Sequence, residues 1–93
     1  MTAIEHLPDL EATPHANVFP SAEPKTVRLA LDADERADPH TQPHRDIVLY
    51  VVEGAIDLDL DDERHALEAG DVAQFAGERE ISPVARERSV ALV

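Results

Sequence analysis

Apolar and polar residues alternate along most of the chain from residue 25 onward. In KTVRLALDA (25–33), Val27, Leu29 and Leu31 fall on one face and Thr26, Arg28 and Ala30 on the other. That period of two predicts a half-buried strand. The charged run DADERADP (32–39) is a connection, which Pro39 keeps out of helix. The next strand begins near Asp46. Ile47, Leu49 and Val51 point one way, Val48, Tyr50 and Val52 the other. Both faces are apolar, so this strand is expected to be central and covered on both sides. Glu53-Gly54 then reverses the chain into Ala55–Asp61, where Ile56, Leu58 and Leu60 go inward and Asp57, Asp59 and Asp61 face water. These aspartates lack the glycine bend and distal glutamate of a calcium loop, so they are read as a solvated strand face.

Shorter strands follow: Arg64 to Glu68, Val72 to Phe75, Arg79 to Val84 and Ser89 to Val93. Asp62-Glu63, Ala69-Gly70-Asp71 and Ala76-Gly77-Glu78 form the turns between the first of them. The three glycines, Gly54, Gly70 and Gly77, all fall at turns and read as backbone requirements. No segment has a helical period. Short strands at close spacing predict a sandwich or barrel. Val27, Leu29, Leu31, Leu49, Val51, Ile56, Leu58, Leu60, Val72 and Leu92 are the expected core.

The first 24 residues read differently. Pro8, Pro14, Pro20 and Pro24, four of the seven prolines, rule out a long helix there. An extended arm (1–24) with a short strand near Asn17 to Phe19 is expected, lying along a sheet edge of its own domain or of a partner. His6 and His15 read as exposed bystanders. Residues 25–93 form one domain, the size at which a single modest core can be buried. With three aromatics among 93 residues, that core must be built of Val, Leu, Ile and Ala.

Charge changes the picture more than composition does. Twenty acidic residues against eight basic ones give a net charge of −12, and Lys25 is the only lysine. Such a chain has no basic stripe with which to neutralise phosphates, which excludes nucleic acid as a partner. Self-repulsion should relax as salt is added, so stability is expected to rise toward molar salt. The lysine-poor acidic surface resembles that of proteins from salt-accumulating halophiles. Without cysteine there is no disulfide framework or thiolate metal site. No apolar run approaches a membrane span, and the N-terminus lacks the form of a signal peptide. A cytoplasmic protein with no membrane partner is expected.

The candidate chemistry lies in His40 to Gly54, HTQPHRDIVLYVVEG, where two histidines stand at the mouth of the central strand. This stretch resembles the first motif of the cupins: His40-Thr41-Gln42, then Asp46, closing on Tyr50-Val51-Val52-Glu53-Gly54. Gly70 to Gly77 resembles the second motif, with Glu80 where that motif has histidine, and Leu67-Glu68-Ala69-Gly70-Asp71-Val72 resembles the usual bridge between the two. The resemblance covers about residues 25–93. It implies an all-β fold, a cupin-type jelly-roll barrel of short antiparallel strands.

In that family three histidines and a glutamate converge on one ion. Here only His40 keeps its ligand type. Gln42 replaces the second histidine, Asp46 stands in for glutamate at a spacing that fits from one side only, and Glu80 replaces the last histidine. His44, four residues from His40, could supply a second nitrogen. Two readings follow. In one, His40, Asp46 and Glu80, with His44 or Gln42, hold a divalent ion that accepts nitrogen and oxygen ligands: manganese, iron, nickel or zinc. In the other, the site has decayed and the carboxylates are rim charges. Tyr50 and Phe75 are the aromatic candidates for contact with a ligand. The resemblance therefore implies a small polar ligand bound in the barrel, with or without metal, with no reaction assigned. The alternatives are a metal-dependent oxygenase or isomerase, and a structural module. A homodimer is expected, because sheet edges and the apolar strand Val90 to Val93 need cover.

Overall fold

The computed structural model describes residues 2–20 and 24–93. The parts of the expected arm at residues 1 and 21–23 lie outside the described residues. Eight strands follow one 3₁₀ turn at Leu7–Asp9: β1 (His15–Asn17), β2 (Val27–Leu31), β3 (Asp46–Glu53), β4 (Ala55–Leu60), β5 (Glu63–Glu68), β6 (Val72–Ala76), β7 (Ile81–Ala85) and β8 (Ser89–Leu92). The chain is thus all-β, as the alternation requires. The strands make two antiparallel sheets, a five-stranded one in the order β1-β2-β8-β3-β6 and a three-stranded one in the order β5-β4-β7. The expected barrel is not closed: among the described residues no ladder joins the edge strands β1 and β6 to β5 or β7. The fold is an open jelly-roll sandwich.

Period-two residues from both sheets meet in one core. Leu29, Leu31, Leu49, Val51 and Ala91 come from the larger sheet, and Ile56, Leu58, Leu60, Ile81 and Ala85 from the smaller, with Phe75 and Ala37 packed beside them. Leu49, Val51, Ile56 and Leu58 are completely buried. β7 is an edge strand, and this is where Pro83, which has no N–H to give to a ladder, is tolerated. The 32–45 connection runs beside that edge, bridging Arg36 to Val84 and His40 to Ile81.

The turn between β3 and β4 depends on Gly54. Its φ is +88, and a Cβ there would meet Ser89 and the Arg88 carbonyl. Ser89 is itself buried and exchanges hydrogen bonds with the Ala55 backbone through its hydroxyl, which accepts from Ala55 N–H at 3.0 Å.

Three expectations need correction. Val72 is not in the core: it is 62% exposed, because its side chain points to the outer face of the sheet, and Val27 and Leu92 are only half-buried. β3 is interior to its sheet but covered on one face only, leaving Val48, Tyr50 and Val52 exposed on the other. The aspartate row of β4 is not simply solvated. Asp57 and Asp59 have side chains only 19% and 21% exposed, because arginines lie over them. Arg64 reaches Asp59 at 2.7 Å, Arg36 reaches it at 3.0 Å, and Arg86 reaches Asp57 at 3.1 Å. Four of the seven arginines are used on this face and its rim, since Arg79 also pairs with Asp61 at 3.2 Å. Opposite charges on neighbouring strands support the sheet in this way.

The N-terminal arm packs on its own domain. β1 pairs with β2, and the buried Arg28 guanidinium donates to the carbonyls of Leu7 (3.4 Å) and Ala12 (3.0 Å). No helix among the described residues is long and apolar enough to cross a membrane.

Candidate functional site

The loop from His40 to Arg45 is stitched to the β6–β7 turn by its backbone. His40 and Ile81 exchange N–H···O bonds of 3.1 and 2.9 Å, Gln42 N–H donates to the Gly77 carbonyl and Gly77 N–H to the Arg45 carbonyl, both at 2.7 Å. His44 adopts a left-handed φ of 68 and its N–H donates to the Glu78 carboxylate at 2.7 Å. The two cupin-like motifs therefore do lie side by side. Their side chains, however, part company.

His40 faces the arm. Its Nδ1 sits 3.1 Å from the Asp38 carbonyl, and its ring stands edge-on to His15, 6.3 Å between centroids. Glu80 lies at another corner, where its N–H donates to the Asp61 carboxylate at 2.9 Å. Asp46, at the start of β3, is exposed and turned to a cavity on the far side of the sheet. Among the described residues no group of three or more His, Asp or Glu side chains is placed to hold an ion. The expected convergence of His40, Asp46 and Glu80, with His44 or Gln42, is thus not formed. Backbone pairing of the two motifs aligns their main chains, but His40 turns to the arm and Asp46 to the cavity, so that no three of these side chains gather.

What the fold does assemble is a cavity of about 680 Å³ beside the first half of β3. Gln42, Asp46 and Tyr50, three of the residues singled out from the sequence, line it together. Phe75 does not: it is 5% exposed, inside the core. The cavity wall is apolar, formed by Val27, Ile47, Val48, Leu92 and Val93. Two cations, Lys25 and Arg45, also line it. Neither has a carboxylate partner among the described residues, whereas Arg36, Arg64, Arg79 and Arg86 all do. Sequence reasoning missed both. The available signal was that Lys25 is the single lysine of the chain, placed immediately before a strand. An apolar wall with a few convergent polar groups is the usual form of a small-molecule site.

The ionisable groups with perturbed affinities lie elsewhere. Hydrogen bonds from Arg64, then from Arg36, hold the Asp59 carboxyl down at about 2 from its ordinary 3.8. The Glu80 N–H, then Arg79, lower Asp61, and His65, then Arg79, lower Glu63. Burial, then the neighbouring His40, lowers His15. A group with a depressed folded-state pKa stabilises the fold above its unfolded value and loses that contribution as pH falls through the folded value. Acid should therefore weaken the fold in two windows. A small loss begins below about 6.5, the ordinary value for His15, and a larger one runs from about 4 down to about 2 as the carboxylates protonate. Urea midpoints measured against pH would show both, and His15→Gln should remove the upper one. A midpoint that stays level from neutrality to pH 3 would refute the argument.

Comparison with known proteins bears on the fold and the family. The cupin domain pattern matches residues 27–80, more than half of the chain. TT1209 from Thermus thermophilus superposes with a TM-score of 0.79 at 23% identity, covering 96% of this chain and 90% of that one. KdgF from Halomonas sp. does so at 0.74 and 25% identity, covering 84% and 72%. The cupin domain of Cnp3 from Schizosaccharomyces pombe gives 0.78 at 15% identity, with 94% of this chain spanning 63% of that one. No curated protein matches. Nothing in these matches assigns the chain to the salt-accumulating halophiles, haloarchaea among them, whose proteins its charge balance resembles. A pattern that spans both motif regions, on strands paired as the fold requires, places this chain in the cupin family.

Proposed function

We propose that this protein is a ligand-binding cupin whose site is the cavity beside β3, and that its ligand is a small polar molecule carrying a carboxylate or comparable anion on an apolar body. The observation that carries this reading is the pair of cations, Lys25 and Arg45, that have no carboxylate partner among the described residues and line an apolar cavity in a chain of net charge −12. Four other arginines are paired with carboxylates, whereas these two cations face one cavity and supply a local field opposite to that of the rest of the surface. Arg45 offers a planar fork suited to a carboxylate, and Lys25 a point charge. The Gln42 amide and Tyr50 hydroxyl can fix orientation, and Asp46 disfavours ligands with a second anion close by. No reaction is assigned. A metal-dependent oxygenase or isomerase would need donors that the described residues do not bring together.

A panel of small aliphatic and aromatic carboxylates, followed by thermal shift and amide chemical-shift mapping, tests the reading. Binding should move the Arg45, Asp46 and Val48 amides. Arg45→Gln and Lys25→Gln should each weaken it about tenfold or more, the usual cost of losing a charge-assisted contact. Carboxylates that bind equally well to both variants, or none that bind, would overturn it.

A further inference from the structure

We propose that the cavity is a gap in the five-stranded sheet, one strand wide, and that the ligand filling it is a short extended peptide with a free C-terminal carboxylate. This deepens the reading above and rests on it. β8 lies between β2 and β3. Its ladder to β3 stops at Tyr50 and Leu92, and its contact with β2 stops at Val27 and Val93, which exchange backbone hydrogen bonds of 3.0 and 2.9 Å. β3 starts earlier, at Asp46, and residues 24–26 lead up to β2 on the opposite side. Strands that flank a third stand about 10 Å apart, two strand spacings, so the space beyond Val93 has the width of one further strand. The cavity occupies that space. Lys25 and Thr26 line one side of it, Asp46 and Val48 the other, and Leu92 and Val93 its end.

Main-chain groups face this gap as well as side chains. Successive residues of a strand turn their N–H and C=O to alternate sides. Val51 N–H donates to the Asp71 carbonyl, on the β6 side, so Val48 and Asp46, three and five residues back, turn theirs to the gap. Among the described residues no ladder pairs either of them on that side. Such an edge is a template for an added strand. The first residue of a bound peptide would exchange two hydrogen bonds with Val48 and the third two with Asp46. The second would set its side chain beside Ile47, which packs against the core, so an apolar residue suits it. Charge sets the direction. Antiparallel to β3, the peptide ends beside Arg45, with its carboxylate toward the two cations; reversed, it would bring its amino end to them. The net charge of −12 selects against acidic peptides, and the Asp46 carboxylate suits a basic third residue.

Isothermal titration of the full chain with acetyl-Ala-Val-Lys tests this, with amide chemical shifts at Val48 and Asp46 locating the peptide. Its Kd should lie about tenfold or more below that of 4-methylpentanoate, a carboxylate with an apolar body and no amide groups. Amidating the C-terminus of the peptide should raise Kd about tenfold, and Arg45→Gln should erase the difference between acid and amide. N-methylation of its alanine, which removes the N–H meant for the Val48 carbonyl, should also raise Kd about tenfold. A peptide indifferent to N-methylation would overturn the proposal. If 4-methylpentanoate binds as tightly as the peptide and depends on Arg45, the gap takes no strand, and only the carboxylate reading stands. If neither binds, both fall. Val48 amide shifts that follow protein concentration without peptide would mean that another copy fills the gap, and would equally sink the idea.

Discussion

Gly77→Ala should cost on the order of 3 kcal/mol and loosen the cavity, the combined effect of overpacking against backbone and of lost hydrogen bonds. A methyl group at this position would run into the carbonyl oxygens of Gln42 and Arg45. Both belong to the segment that the Gly77 backbone holds, through Gln42 N–H to the Gly77 carbonyl and Gly77 N–H to the Arg45 carbonyl at 2.7 Å each. Because the obstacles are main-chain atoms, no rotamer change can relieve the clash. The loop must lift, and Gln42, Arg45 and Asp46 move with it. Urea unfolding should show the loss, and binding of any carboxylate found for the cavity should weaken in parallel. A variant within about 0.5 kcal/mol of wild type would mean that the segment yields freely.

Leu58→Ala should cost about 3 kcal/mol, within the 2–5 kcal/mol seen for such truncations in well-packed cores. Leu58 is completely buried at the middle of β4, between His65 of β5 and Pro83 of β7. Strands on both sides limit how far the site can collapse, so most of the cavity would persist. A domain of this size holds only about 5–15 kcal/mol in all, and one side chain then carries a large share of it. Leu67→Ala, at the one half-buried position of the exposed edge strand β5, should cost distinctly less. Equal losses at the two positions would contradict this packing.

The acidic surface illustrates how far a pattern can be read. Alternation in Ala55 to Leu60 named the inward residues, and Ile56, Leu58 and Leu60 are indeed buried. It could not say that Asp57 and Asp59 lie beneath Arg36, Arg64 and Arg86, since these arginines come from other parts of the chain. β3 shows the same limit. Its apolar outer residues predicted a second cover, and none is formed among the described residues. The sequence pattern registered a demand for burial without showing which surface answers it.

Local chemistry alone determined the strands from β2 onward, their turns, the inward residues of β2 to β4 and the family, because a strand's period and a turn's geometry depend on neighbours a few residues apart, whereas the first strand, expected near Asn17 to Phe19, lies at His15–Asn17, where it pairs with β2. The site was decided only by the tertiary structure. His40, Asp46 and Glu80 fall in matching motifs, yet the fold sets the His40 ring against His15, turns Asp46 to the cavity and ties the Glu80 backbone N–H to Asp61. Lys25 and Arg45, twenty residues apart, come to one cavity because the sheet places the approach to β2 across from the start of β3. Where a side chain points depends on strand register and loop closure. Those are settled by long-range pairing, which no single stretch of sequence contains.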